Sequence, residues 1–203
     1  MKHLWLAAFL VPLDQTEWTL LSYKNFPAHQ VTHTSEMKIS VNASAGPLVY
    51  KLPTPRLVKS LSVSALLSKN IQTSSKLGSV GADDFPLRIG LIVAGKKKLN
   101  FMQRIAAPEW VKKLYAVAPD GAGINKILFL NFTASGQEAS FTKRTHPKSD
   151  LIEELVVGEF KAGRLEQKVD VDLKSEVLGL WISVDGDDTK STFETTIQKI
   201  ILE

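Results

Sequence analysis

Apolar and polar residues alternate along residues 57–67, which read LVKSLSVSALL. One side of an extended chain would carry Leu61, Val63, Ala65 and Leu67, and the other would carry Ser60, Ser62 and Ser64. A period of two residues is typical of a β-strand with one buried face. The segment is therefore predicted to be a strand whose serines point away from the core.

Similar patterns recur at short intervals along the rest of the chain. In residues 177–185 the predicted inward positions are Leu178, Leu180, Ile182 and Val184, and the outward ones are Gly179, Trp181, Ser183 and Asp185. Residues 87–93 also alternate and place Arg88 outward, whereas residues 126–132 are apolar on both faces, as in a central strand. The pattern of residues 151–157 leaves strand and helix both open.

One helix is predicted, in the segment APEWVKKLYAV at residues 107–117. Pro108 stands where a first helical turn tolerates proline, and Leu114 and Val117 follow at helical spacing. Many short strands with a single helix predict an all-β fold, a jelly-roll β-sandwich with one short helix. Residues 16–203 are predicted to form this sandwich as a single domain.

Residues 1–15 allow two interpretations. Lys2 followed by the apolar run Leu4–Leu13 resembles the start of an export signal. However, Pro12 interrupts the run and no small-residue cleavage site precedes Asp14, so a buried first strand is the other interpretation. A signal predicts a periplasmic or secreted protein, and a structured strand at Leu4–Leu13 predicts a cytoplasmic one.

The composition narrows the classes of partner. The chain has 203 residues, a net charge of +4 and no cysteine, which excludes disulfides and thiol catalysis. No basic stripe with interleaved aromatic residues is present, so nucleic acid is not a predicted partner. A membrane span is not predicted either, because no segment approaches about 20 consecutive apolar residues. The composition gives no indication of the oligomeric state.

Two acidic clusters are the first candidate sites. The segment GADDFPLRIGLIVAG, residues 81–95, places Asp83 and Asp84 just before an apolar strand that contains Arg88. The segment DGDDT contains Asp185, Asp187 and Asp188, whose oxygens would suit a structural calcium ion, with a hairpin turn as the alternative. No other cofactor is predicted.

A third candidate is a surface that could bind a saccharide. Trp181 and Asp185 share the outward face of one strand, and Arg88 stands outward on another. An aromatic plane stacks on a sugar ring, while arginine and carboxylate bond its hydroxyls. The alternative is that Trp181 packs beneath the predicted helix and that Arg88 pairs with Asp83 or Asp84.

Catalytic candidates are few. Asp170, Asp172 and Asp185 are strand carboxylates that could serve glycoside hydrolysis, for which two carboxyl groups must flank the scissile bond. A solvated strand face explains Asp170 and Asp172 equally well. His29 and His33 stand four residues apart in an extended, polar segment, so they are interpreted as surface histidines.

The two acidic clusters together resemble the signatures of a bacterial domain family of unknown function. Its Asp-Asp-aromatic-x-x-Arg motif matches Asp83, Asp84, Phe85 and Arg88. Its closing motif, a glycine followed by Asp-x-Asp-x-Thr, matches Gly179, Asp185, Asp187, Asp188 and Thr189. The resemblance covers roughly residues 16–202. It implies a galactose-binding-type jelly roll, similar to carbohydrate-binding modules, in an exported protein. Asp83, Asp84, Arg88, Asp187 and Thr189 would form its structural signature.

The function predicted from the sequence is that of a non-catalytic binding module of the bacterial cell envelope, with a saccharide or an envelope protein as partner. In this hypothesis Trp181 stacks on the ligand, and Arg88 and Asp185 form hydrogen bonds with it. Two alternatives stay open. One is a polysaccharide hydrolase or lyase on the same fold, and the other is an assembly domain that contacts another protein.

Overall fold

A computed structural model describes residues 8–23, 25–98, 109–118, 123–147 and 149–203. Thirteen strands are found in these ranges: β1 (Phe9–Leu10), β2 (Trp18–Leu20), β3 (Gln30–His33), β4 (Met37–Asn42), β5 (Leu48–Arg56), β6 (Ser60–Leu67), β7 (Leu87–Gly95), β8 (Gly123–Thr133), β9 (Lys143–Thr145), β10 (Ile152–Glu159), β11 (Arg164–Asp170), β12 (Val177–Ser183) and β13 (Thr192–Leu202). Helix α1 spans Glu109–Ala116, and a 3₁₀ turn spans Gln15–Glu17. The predicted helix is thus confirmed, while Pro108 lies outside the described residues.

The strands form two sheets. Sheet A has the order β11-β6-β13-β4-β3, with β1 also paired to β13, and sheet B has the order β2-β5-β12-β7-β8-β10-β9. From β4 onward the chain passes back and forth between the sheets: β4, β6, β11 and β13 lie in sheet A, whereas β5, the consecutive strands β7 to β10, and β12 lie in sheet B. This wrapping of one chain around two facing sheets is the jelly roll predicted from the sequence.

The main core lies between the sheets, and alternation along the strands explains why. Leu61, Val63, Ala65 and Leu67 of β6 all point into it, as predicted. In β12 the prediction is wrong at one position, because the register shifts between Val177 and Gly179. This β-bulge turns Val177 into the main core and Leu178 to the other side of the sheet.

A second apolar cluster covers part of the outer face of sheet B. Helix α1 contributes Leu114, and the sheet contributes Ile92, Phe129 and Trp181 among others. Gly90 leaves space for these side chains, since a Cβ there would lie 2.7 Å from Ile127 Cγ2 and 2.9 Å from the Phe129 ring. One outer face of the sandwich is therefore closed by the helix over this area.

The N-terminal apolar run is partly built into the fold. Phe9 and Leu10 pair with Leu202 and Ile201 of β13, and Val11 and Leu13 are buried in the main core. The first part of the run, residues 4–7, lies outside the described residues. Among the described residues, no helix has the length and apolar character needed to cross a lipid bilayer.

Candidate functional site

Arg88 lies on the outer face of sheet B, where it is 6% exposed and surrounded by carboxylates. Its Nη2 donates to the Asp83 carbonyl oxygen at 2.5 Å and to Asp83 Oδ1 at 2.9 Å. Its Nη1 donates to Glu154 Oε1 at 3.4 Å, and its Nε is 3.7 Å from Asp185 Oδ2. A buried guanidinium needs such partners, because an unpaired buried charge costs several kcal/mol.

Glu154 is the centre of this network and is completely buried. Besides Arg88, its carboxylate accepts hydrogen bonds from Asn131 Nδ2 at 3.0 Å and from Arg144 Nε at 2.5 Å. Arg144 also reaches Asp83 Oδ1 at 2.7 Å. Two arginines and two acids thus form a closed ring of charges across β7, β8, β9 and β10, which we call the charge cluster, with Asp185 at its edge.

Two aromatic rings pack against the guanidinium groups of the charge cluster. The Arg88 guanidinium carbon lies 4.6 Å from the centre of the Phe85 ring, and that of Arg144 lies 4.0 Å from the centre of the Phe141 ring. The two rings meet edge to face with their centres 6.0 Å apart. Cation–π contacts of this kind hold each guanidinium in one orientation. Phe85 therefore connects the cluster to the main core, in which it is buried.

Asp84, the neighbour of Asp83, holds the second acidic segment in place. It is fully buried and accepts hydrogen bonds from Thr189 N at 2.7 Å, Thr189 Oγ1 at 2.6 Å and Asp188 N at 3.3 Å. In return, Asp83 N donates to Asp188 Oδ2 at 3.1 Å. The two acidic segments are therefore joined directly, although they lie far apart in the sequence.

The predicted calcium ligands have separate surroundings in this arrangement. Asp185 accepts from Ser183 Oγ and faces Arg88, whereas Asp188 accepts from the Asp83 amide. Within the described part of the chain, no group of three or more histidine, cysteine, aspartate or glutamate side chains is arranged to hold a metal ion. A calcium ion bound by Asp185, Asp187 and Asp188 stays a prediction from the sequence.

Burial changes the acidity of the groups around Asp185. It raises the pKa of Asp185 to about 7, and the attraction of Arg88 offsets this only in part. Burial also raises the pKa of the nearby Tyr23, with Asp185 and Asp187 acting in the same direction. Burial also acts to raise the pKa of Asp83, but the positive charges of Arg88 and Arg144 outweigh it, so the pKa of Asp83 is lowered.

We predict that replacing Asp185 with asparagine changes how stability depends on pH. Because the folded-state pKa of Asp185 is raised, the proton it binds stabilises the fold fully below about pH 4, and this stabilisation is lost as the pH rises through about 7. The difference in free energy of unfolding between Asp185→Asn and wild type should therefore change with pH. It should favour the variant by about 2–3 kcal/mol more at pH 8 than at pH 5.

Urea unfolding of both proteins between pH 5 and 8 measures this difference. Burial lowers the pKa of His29 to about 4 and also lowers that of His146, so both histidines contribute with the opposite sign in the same range. Their contributions cancel when the variant is compared with wild type at each pH. A difference that does not vary with pH would contradict the prediction.

Trp181 does not form the exposed aromatic plane that the sequence suggested. It is 5% exposed and belongs to the cluster under α1 with Leu114 and Val117. The alternative interpretation, in which the residue packs beneath the helix, describes its position correctly. Its strand position does face outward from the sheet, but the helix covers that face. A role for Trp181 in ligand binding stays a prediction.

The serines of the strand 57–67 lie on the other side of the molecule from Trp181. Ser60, Ser62 and Ser64 point outward from sheet A, whereas Trp181, Arg88 and Asp185 belong to sheet B. Asp170 is the last residue of β11 in sheet A, and Asp172 follows the strand as an exposed partner of Lys174. The structure therefore does not bring Asp170 and Asp172 together with Asp185.

Of the two histidines interpreted as surface residues, His29 is in fact buried. Its Nδ1 is 2.8 Å from Ser44 Oγ, and Ser44 Oγ in turn accepts from Asn42 N. His33 is only half-buried, and its Nδ1 is 2.7 Å from the Leu13 carbonyl oxygen. His29 thus fixes the loop after β4, which forms part of a cleft.

This cleft lies at one end of sheet A and has a volume of about 630 Å³. Its lining consists of Pro27, Ala28, Gln30, Ser40, Val41, Asn42, Ser44, Ser68, Lys69, Thr192, Phe193 and Glu194. The outward side chains of β3, β4 and β13 supply its floor, since Gln30, Ser40 and Glu194 lie in register across these strands. The cleft lies on sheet A, whereas α1 and the charge cluster occupy the outer face of sheet B.

Several side chains in the cleft carry hydroxyl, amide or carboxylate groups that form hydrogen bonds with one another. Thr192 Oγ1 donates to Asn42 Oδ1 at 3.1 Å, and Ser40 Oγ donates to Glu194 Oε2 at 3.2 Å. Lys38 neutralises Glu194 at 3.1 Å on the exposed side. Amide and hydroxyl groups held in one row by a sheet can bond a chain of ligand hydroxyl groups.

The sequence analysis missed this cleft, as well as Glu154 and Arg144. The cleft is assembled from several chain segments whose adjacency depends on the strand order, so no local motif marks it. Glu154 left a weaker signal, because it is a carboxylate inside the apolar segment LIEELVV. A charged residue within such a strand needs a buried partner, and Arg144 is the partner found here.

Comparisons with known proteins give structural likenesses only. No protein-family profile matches the chain and no curated protein matches it, so the family suggested by the acidic signatures is not confirmed. One similar solved structure is a low-affinity xylan-binding module, CBM86, from the gut symbiont Roseburia intestinalis. It has 7% identity and a TM-score of 0.43 over 97% of this chain and 93% of that one.

Two other solved structures show a comparable likeness. One is the family 11 carbohydrate-binding module of the cellulosomal cellulase Lic26A-Cel5E of Clostridium thermocellum, with 12% identity and a TM-score of 0.43 over 97% and 94% of the two chains. The other is the K2 adhesin domain of Lys-gingipain, with 10% identity and a TM-score of 0.37 over 97% and 98%. We draw no functional conclusion from likenesses at this level.

Proposed function

We propose that the protein is a non-catalytic carbohydrate-binding module and that the cleft of sheet A holds the saccharide. The observation that carries the proposal is the composition of the cleft, in which hydroxyl and amide side chains of three neighbouring strands face open solvent. Sugars present several hydroxyl groups in a row, and side chains such as Gln30 and Asn42 can act as donor and acceptor at once.

One aromatic residue directly precedes the cleft wall in the sequence. Phe26 is 39% exposed, and the next residue, Pro27, lines the cleft. An exposed aromatic ring offers an apolar surface to the C–H face of a sugar. Phe26 would then take the stacking role that the sequence analysis assigned to Trp181.

The number of carboxylates in the cleft supports a non-catalytic role. Glycoside hydrolysis needs two carboxyl groups roughly 5–10 Å apart on either side of the scissile bond. Among the described residues that line the cleft, Glu194 is the single carboxylate, and Lys38 and Ser40 already engage it. This arrangement suits recognition of a saccharide better than its cleavage.

The proposal includes a location outside the cytoplasm, where polysaccharides are met. N-terminal sequencing of the mature protein from its native host would test this part separately. Cleavage within residues 8–13 would remove β1 or Val11 from the fold. Such cleavage would therefore take buried apolar side chains out of the main core.

We predict that the double variant Gln30→Ala with Asn42→Ala binds saccharide about 5- to 150-fold more weakly than wild type. Each lost hydrogen bond is worth about 0.5–1.5 kcal/mol, and both side chains are exposed, so folding should be unaffected. Isothermal titration against neutral and acidic oligosaccharides, with thermal unfolding of each protein, provides the measurement.

A matched control is Asn125→Ala, which removes an exposed amide from β8 on the opposite sheet. Its affinity should equal that of wild type. The proposal is wrong if no oligosaccharide binds the wild-type protein, or if the control and the double variant lose affinity equally. Release of new reducing ends during incubation would instead support the hydrolase hypothesis.

A further inference from the structure

We infer that the cleft of sheet A selects an acidic saccharide, a uronic acid chain whose carboxylate pairs with Lys69. This inference rests on the proposed function and names the class of ligand for the same site. The charged side chains that line the cleft determine which ligand charge is attracted there and which is repelled.

The two charged side chains that line the cleft, Glu194 and Lys69, differ in whether other protein groups pair with them. Glu194 forms an ion pair with Lys38 at 3.1 Å and accepts a hydrogen bond from Ser40. Lys69 lines the same cleft but makes no ion pair or hydrogen bond with any described residue. The negative charge is thus neutralised within the protein, while the positive charge is left for a ligand.

The position of Lys69 fits a ligand that extends across the strands. Lys69 follows β6, and Pro27 and Ala28 precede β3 at the other end of the row β6-β13-β4-β3. Three strand spacings separate these ends, which is about 14 Å. A uronic acid chain lying across Asn42 and Thr192 would therefore place its hydroxyl groups over the amide and hydroxyl side chains and bring one of its carboxylates to Lys69.

The charge of the whole chain acts in the same direction. The net charge of +4 favours approach of an anionic ligand, although it does not choose a site on the surface. Selectivity must therefore come from Lys69 itself, and this separates the inference from general attraction between a basic protein and an acidic polymer.

The test compares two ligands that have the same sugar chain and differ only at their carboxyl groups, which are charged in one and methyl-esterified in the other. Tetragalacturonate and its fully methyl-esterified form are titrated into wild type, Lys69→Met and Lys51→Met. Lys51 is an exposed lysine of β5 on the opposite sheet, so Lys51→Met changes the net charge equally while leaving the cleft intact. Methionine retains most of the aliphatic stem in both variants.

We expect wild type and Lys51→Met to bind the acidic form at least threefold more tightly than the ester, and Lys69→Met to bind both alike. This preference should decrease as salt is added, as for any partly exposed ion pair. Equal affinity of wild type for both forms would overturn the inference and leave a neutral-sugar module. Equal loss of the preference in both variants would also overturn it, by showing nonspecific attraction. Absence of binding to any oligosaccharide would overturn the proposed function itself.

Discussion

Replacing Glu154 with glutamine lowers the free energy of unfolding by about 3–5 kcal/mol, a large part of the roughly 5–15 kcal/mol that stabilises a typical domain. The carboxylate is completely buried and receives hydrogen bonds from Arg88, Arg144 and Asn131. Glutamine keeps one acceptor oxygen but removes the negative charge, so Arg88 is left with Asp83 and Asp185, and Arg144 with Asp83. The loss therefore comes from uncompensated positive charge, with little change in side-chain volume.

The neighbouring residue of the same strand provides the control for this prediction. Glu153 pairs with Lys126 at 2.6 Å, and both side chains are partly exposed, so Glu153→Gln should cost less than about 1 kcal/mol. Urea unfolding of the two variants at pH 7.5 compares two carboxylates that are adjacent in the sequence. Equal destabilisation would show that the charge cluster contributes no more than an ordinary surface ion pair.

Replacing Asp84 with alanine should lower the free energy of unfolding by about 3–5 kcal/mol and detach the segment 185–189. The Asp84 carboxylate satisfies two backbone N–H groups and one hydroxyl group, and hydrogen bonds to a charged acceptor are worth about 1.5–3 kcal/mol each. Asp84→Asn should restore only part of the lost stability. Both oxygens of Asp84 accept hydrogen bonds, and in asparagine one of them is replaced by an NH₂ group that cannot accept.

Hydrogen exchange of the Thr189 and Asp188 amides distinguishes this effect from general unfolding. In Asp84→Ala these amides should exchange faster by a larger factor than amides of β13, which sit in a sheet ladder. Asp172→Ala is the matched control, since Asp172 is exposed and its carboxylate forms a surface ion pair with Lys174. Unchanged exchange at Asp188 and Thr189 in Asp84→Ala would contradict the role assigned to Asp84.

The alternation of apolar residues predicted most of the fold. It identified the strand face of β6 and the central position of β8, because both depend on the contrast between core and solvent over a few residues. The bulge at Val177–Gly179 was not predictable in this way, since a one-residue shift follows from the neighbouring strands β5 and β7. The choice between strand and helix at residues 151–157 was settled by pairing of β10 with β8.

The site was predictable only where partners lie close in sequence or share a motif. The two acidic segments were matched to the signatures of one family, and pairing of Arg88 with Asp83 or Asp84 was one of the alternatives. Its partner Glu154 and the cleft around Asn42 depend on which strands become neighbours. Trp181 illustrates the reverse problem, because outward orientation from a sheet does not mean exposure when a helix covers that sheet.

The charge cluster also bears on the order in which the chain can fold. Arg88 finds Glu154 66 residues later in the sequence, and Asp84 finds Thr189 105 residues later. During synthesis Arg88 has Asp83 nearby, but Glu154 and the Thr189 donors of Asp84 become available only when most of the chain has been made. Closing such long loops is slow, and it ties the stability of the early strands to the last ones. The domain is consequently expected to fold as one cooperative unit, with no stable form that lacks the region around Thr189.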